Sequence, residues 1–108
     1  MLAILHIDES FLDRTVRVPV GQVIELRLKE NPTTGFHWSF AADGTPDCAV
    51  VADRFEQIPG PPGAGGEHAW QIKALRSGTC HLELRYRRSF EPAAPPARVF
   101  ALDLEVTE

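Results

Sequence analysis

Period-two alternation dominates this chain and limits its fold more than any other feature. In the segment 23–29, Ile24, Leu26 and Leu28 share one face while Glu25, Arg27 and Lys29 share the other. The same alternation puts Val16, Val18 and Val20 together in 15–20, with Pro19 opposite, where it marks an edge or a strand end. It recurs for Phe36, Trp38 and Phe40, for Trp70, Ile72 and Ala74, for Cys80, Leu82, Leu84 and Tyr86, and for Phe100, Leu102, Leu104 and Val106. Side chains alternate faces only in strands, so each run predicts a half-buried strand. Weaker strands are expected over 2–8 and 48–55. Gly21-Gln22, Ala41 to Asp47 and Ser77-Gly78 read as turns, and the glycine- and proline-rich stretches 58–68 and 89–97 as loops without regular structure. No segment shows a helical period. The expectation is an all-β chain, an immunoglobulin-like antiparallel β-sandwich of about seven to eight strands. Trp38 is the expected large core residue of a central strand.

A chain of 108 residues is long enough for one core and too short for two, so residues 1–108 are expected to form a single domain. No apolar run is long enough to span a membrane, and none is expected as a partner. A net charge of −4 argues against nucleic acid, which attracts basic surfaces. Arg85, Arg87, Arg88 and Arg98 form a local exception, read as a solvated strand face. The first residues, MLAILHIDES, lack the charged start, apolar core and cleavage site of a signal peptide. Cytoplasmic residence is therefore expected, or a mature exported form from which a signal was removed. Cys48 and Cys80 permit one disulfide. Cys80 falls on an apolar strand face and is read as a buried free thiol, while the weaker strand that carries Cys48 leaves that residue open to exposure.

Catalytic signatures are missing. The chain has no nucleophile elbow, zinc motif, phosphate loop or dinucleotide fingerprint. His6, His37, His68 and His81 are scattered singly, and Asp8-Glu9 reads as a solvated acidic pair. No nucleophile–base pair or metal set can be assembled, so neither an enzyme nor a cofactor is expected.

Three loops carry unusual chemistry instead. In NPTTG, Asn31-Pro32 initiates a turn and Gly35 can take positive φ at its exit. A plain hairpin turn does not account for Thr33 and Thr34, because β-branched residues suit a turn tip poorly. The pair makes a stiff tip with two hydroxyls and two methyls, suited to a narrow polar cleft. GPPGAGG presents bare backbone that can pair with another chain. RRSFEP places Arg88 and Phe90, residue types enriched at interface hot spots, just past a strand. In a sandwich, loops after alternate strands emerge at one end, so the three are expected to form one binding surface.

The ordered motifs Asn31-Pro32-Thr33-Thr34-Gly35-Phe36, Gly63-Ala64-Gly65-Gly66 and Arg88-Ser89-Phe90 resemble those of the chagasin-like inhibitors of cysteine peptidases, whose pattern is NPTTG[YF], GxGG and RP[WF]. Two motifs match fully. In the third, Ser89 stands where the family has proline, a loss expected to loosen that loop. The resemblance covers essentially the whole chain. It implies a reversible inhibitor, expected as a monomer, whose partner is a papain-like cysteine peptidase. The NPTTG tip would lie over the catalytic Cys–His pair, Gly63 to Gly66 along one wall of the cleft, and Arg88 and Phe90 on the other. The alternative is an immunoglobulin-like adhesion or ligand-binding module with a non-peptidase partner. A small hydrolase is disfavoured by the absent catalytic set.

Overall fold

A computed structural model describes residues 3–60, 65–88 and 95–108. Eight strands follow one another: β1 (Leu5–Ile7), β2 (Arg14–Pro19), β3 (Val23–Glu30), β4 (Phe36–Asp43), β5 (Cys48–Gln57), β6 (Gly66–Ala74), β7 (Gly78–Arg88) and β8 (Arg98–Thr107). They form two four-stranded sheets of order β1-β3-β6-β5 and β2-β8-β7-β4. The inward residues of the alternating runs meet between the sheets. Ile24, Leu26, Leu28, Trp70, Ile72, Ala74, Cys80, Leu82, Leu84, Phe100, Leu102, Leu104 and Val106 are all buried. The β-sandwich read from the alternation is the observed fold.

The sheets are mixed, not purely antiparallel. β1 runs parallel to β3, and β2 runs parallel to β8. Parallel neighbours need a crossover. For β1 and β3 it is β2, which lies in the facing sheet; for β2 and β8 it is the rest of the chain. A single 3-10 turn, Glu9–Phe11, carries the chain from β1 towards β2.

Several local expectations are corrected. β4 continues through Ala42 and Asp43, because a bulge after Phe40 absorbs one residue and the ladder resumes. Val20 lies just past β2 in a turn and is exposed. Trp38 is buried, but on the edge strand β4; the fully buried tryptophan of a central strand is Trp70. β6 begins inside the glycine-rich stretch, at Gly66, which pairs with Glu30 on one side and Gln57 on the other. A Cβ there would sit 2.1 Å from the Glu56 carbonyl oxygen, so only glycine admits this close approach.

The cysteines are not free thiols. Cys48 and Cys80 form a disulfide with a Cα–Cα separation of 6.3 Å, and both are buried. Cys48 opens β5 facing inward and Cys80 faces it from β7, so the bond ties one sheet to the other.

Candidate functional site

The segment after β3 is no hairpin, because β3 and β4 belong to different sheets. It spans the end of the sandwich as a 3-10 turn, Pro32–Thr34, and leaves through Gly35 at φ 83°. Asn31 organises it. Its Oδ1 accepts from the Thr33 N–H at 3.2 Å and from the Thr33 hydroxyl at 2.5 Å. Its carbonyl accepts from the Thr34 N–H at 3.2 Å and the Thr34 hydroxyl at 2.7 Å. Both threonines therefore lock the turn while remaining exposed. Each hydroxyl still offers acceptor lone pairs to the outside.

The turn is fastened from below. The Asn31 N–H donates to the Tyr86 hydroxyl at 3.0 Å. The Trp38 indole N–H donates to the Lys29 carbonyl, and the Trp38 backbone N–H to Glu30 Oε2, both at 2.9 Å. The Tyr86 ring lies 5.3 Å from Phe36 and 4.9 Å from Trp38 between centroids. Phe36 itself is only half-buried.

The other two loops begin and end at the same place. Gly65, at φ 77°, lies against the first loop: a Cβ on it would meet the Glu30 carbonyl oxygen at 3.0 Å and Asn31 Cβ at 3.2 Å. The Ile58 N–H closes the second loop onto the Gly65 carbonyl at 3.2 Å. Gly66 is buried within the sheet, paired on both sides. Arg88 ends β7 opposite Phe36, with its guanidinium 4.6 Å from that ring's centroid and its Nε–H directed at the Thr34 carbonyl at a long 3.4 Å. The third loop returns with the Ala97 N–H on the Tyr86 carbonyl at 2.8 Å. A recess of about 270 Å³ separates the roots, lined by Lys29, Glu30, Asn31, Ile58 and Tyr86 among others.

Asn31, Thr33, Thr34, Gly35, Phe36, Gly65, Gly66 and Arg88 are thus gathered at one end of the sandwich, together with the backbone of Pro32. Gly63, Ala64, Ser89 and Phe90 lie outside the described residues. Glu30, His68 and Tyr86 belong to the same neighbourhood and were not singled out from the sequence as site residues. The signal was present for Glu30 and His68: each continues an apolar stripe, Ile24-Leu26-Leu28 or Trp70-Ile72-Ala74, with a titratable side chain.

The arginine cluster is not one solvated face. Arg85 pairs with Glu83 at 2.8 Å, Arg98 lies 5.4 Å from the Trp38 ring centroid, and Arg88 covers Phe36. Nor is Asp8-Glu9 merely solvated. Asp8 Oδ1 caps the Ser10 N–H at 2.9 Å, and Glu9 Oε1 accepts from the Lys29 N–H at 2.9 Å. His81 lies 2.6 Å from Asp103, and that hydrogen bond holds its imidazole above the usual histidine range. Among the described residues no group of His, Cys, Asp and Glu is arranged to hold a metal ion, and no helix is long and apolar enough to cross a membrane.

Comparison with known proteins finds relatives in sequence and in fold. The model of the Chagasin family peptidase inhibitor I42 matches residues 17–104. Amoebiasin-1 of Entamoeba histolytica is 31% identical over 104 residues, covering 94% of this chain and 99% of its own. The crystal structure of the cysteine protease inhibitor EhICP2 from Entamoeba histolytica superposes with a TM-score of 0.85 at 22% identity, over 96% of this chain and 95% of that one. PbICP-C, solved in complex with falcipain-2, superposes with a TM-score of 0.64 at 16% identity, over 97% of this chain and 90% of that one.

Proposed function

The chain belongs to the chagasin family of peptidase inhibitors, and from that premise we propose that residues 1–108 act as one inhibitor domain, a monomer that blocks papain-like cysteine peptidases reversibly. The three loops act as a wedge in the active-site cleft. The Thr33-Thr34 tip fills the cleft above the catalytic pair. The backbone of the second loop, through Gly63, Ala64 and Gly65, lines one wall, with Gly66 as its anchor in the sheet. Arg88, Ser89 and Phe90 line the other wall. A relative of the same fold has been solved with falcipain-2 bound, which supports a peptidase as the partner.

The observation that carries this reading is the convergence of the three loop roots: Gly65 against Asn31, and Arg88 against Thr34 and Phe36. Inhibition without cleavage follows from the locked turn. Attack on a peptide needs its carbonyl held about 3 Å from the thiolate with its oxygen in the oxyanion hole. A turn whose hydroxyls and amides are already bonded to Asn31 resists adopting that pose. A first loop locked by its own hydrogen bonds also loses little entropy on docking, at an expected interface of roughly 800 Å² per partner.

Titration of papain and a cathepsin L-like peptidase, followed by fluorogenic substrate hydrolysis, tests the proposal. Tight competitive inhibition with the inhibitor recovered intact is expected. No inhibition at micromolar excess sinks it and moves the loops to a non-peptidase partner.

A further inference from the structure

Glu30 is the last residue of β3 and continues its inward face, yet it carries a carboxylate with only 5% of its side chain exposed. A carboxylate in such a place is tolerated only when hydrogen bonds replace lost water. Both of its oxygens are occupied. Oε2 accepts from the backbone N–H of Trp38 at 2.9 Å, across the first loop and in the other sheet. Oε1 lies 3.1 Å from His68 Nδ1. His68 stands on β6, two residues after Gly66, where the second loop enters the sheet. Its ring is stacked on Trp70 at 4.1 Å with an interplanar angle of 6°, and its Nε2 faces Asp53 Oδ1 on β5, the strand from which the second loop departs.

One carboxylate therefore touches both strands that flank the first loop and, through His68, both that flank the second. A leucine at position 30 would fill the space but would leave the Trp38 N–H of an edge strand without this acceptor. We propose that Glu30 is a positioning residue for the inhibitory tip: the chain Trp38–Glu30–His68–Asp53 holds the first two loops in one mutual register. The proposal rests on the inhibitor reading above for its functional consequence and on geometry alone for its structural one.

The test uses the full chain with Glu30→Ala, Glu30→Gln, His68→Phe and the Glu30→Ala/His68→Phe double variant. His68→Phe keeps a flat ring for Trp70 and removes both bonds. Stopped-flow association and dissociation with papain are measured beside amide exchange at Trp38 in the free protein. Glu30→Ala is expected to speed dissociation by about tenfold while association changes little. Glu30→Gln retains an amide oxygen for the Trp38 N–H and is expected to recover most of the difference. The effects of Glu30→Ala and His68→Phe are expected to be non-additive, as for members of one network. On prolonged incubation the Glu30→Ala protein should be clipped between residues 31 and 35 while the wild type stays whole. A purely structural role would lower the unfolding midpoint and leave the dissociation rate of the folded variants unchanged, and that result overturns the proposal. Additive single effects overturn it as well. Glu30→Gln and His68→Phe keep the test decisive should Glu30→Ala not fold. If wild type does not inhibit papain, the inhibitor reading fails on its own. The proposal is then judged by exchange at Trp38, which must accelerate in Glu30→Ala and less in Glu30→Gln; unchanged exchange defeats it.

Discussion

Thr33 and Thr34 donate their hydroxyls to Asn31 and remain exposed. The tip is thus rigid through its own chemistry, and its outer surface is available for contact. Thr33→Arg puts a long charged side chain there without disturbing the core. It is expected to weaken inhibition of papain by at least about a hundredfold, as for a hot-spot change of 2–3 kcal/mol, while thermal unfolding falls by only a few degrees through the lost Thr33–Asn31 hydroxyl bond. Unchanged inhibition would remove the tip from the interface. Gly66 is a packing position and its substitution is read in stability. A methyl group 2.1 Å from the Glu56 carbonyl must push β5 and β6 apart. Gly66→Ala should cost roughly 2–3 kcal/mol in urea unfolding. At this scale the sequence was partly legible. Asn31, Pro32 and Gly35 were readable as turn residues because their backbone chemistry is local. The role of the threonine hydroxyls was not, because it depends on which way each side chain rotates within the turn. The partnership of Cys48 and Cys80 was not either: it requires knowing that two strands 32 positions apart face each other across the core.

The outer face of the β1-β3-β6-β5 sheet carries an ion-pair network that joins elements distant in sequence. Glu25 lies 2.9 Å from Arg54 and 3.1 Å from Arg27, and Arg27 reaches Glu56 at 3.0 Å and Glu67 at 3.6 Å. Burial alone would raise the pKa of Glu25, but the hydrogen bonds from Arg27 and Arg54 outweigh it and bring it below the usual value. Glu56 is drawn down to about 2, chiefly by its hydrogen bond from Arg27 and then by that from Arg54. A carboxylate whose folded pKa is depressed adds stability that is complete above its unfolded pKa and fades as pH falls towards the folded one. The difference in urea midpoint between wild type and Arg27→Met should therefore be full above about pH 4.5 and shrink as pH falls towards about 2. It should also shrink in high salt, because much of the network is exposed. A difference constant with pH would mean that Arg27 acts only through its aliphatic stem. Of the strands bearing this network, β3 was legible from alternation, since Glu25, Arg27 and Ile24, Leu26, Leu28 separate cleanly by parity; Glu56 lies past the expected end of its strand and Glu67 in the stretch read as a loop, because the glycines around them hide the strand period. The pairing of β1 with β3 and β2 with β8 was not, because parity assigns a face and says nothing about the neighbour or its direction.

At the scale of the whole molecule, the loop roots and the cross-link occupy opposite ends. The loop roots gather where β3, β5 and β7 end and where β4, β6 and β8 begin, as the pairs Glu30–Gly66, Gly66–Gln57, Phe36–Arg88 and Tyr86–Arg98 require. The disulfide sits near the start of β5 and β7. Along β7, the eight-residue path from Cys80 to Arg88 corresponds to about 26 Å of extended strand. Packed side chains fill the space between the two sheets along this length and hold them together without the cross-link. Removing the cross-link should therefore act on the unfolded state and not on the wedge. For a loop of 32 residues the chain-entropy estimate is about 3–4 kcal/mol. The Cys48→Ala/Cys80→Ala protein is expected to lose about that much in urea unfolding and to inhibit papain with an unchanged constant at temperatures where it remains folded. The reduced wild-type protein should do the same. A large loss of affinity without unfolding would mean that the two ends are mechanically coupled, and that the loops depend on a strain or register set by the far end of the sandwich. Preserved affinity would locate the determinants of inhibition in the loops and in the residues directly beneath them, Glu30, Trp38, His68 and Tyr86. The cross-linked end would then be a scaffold whose stability can change without altering what the protein binds.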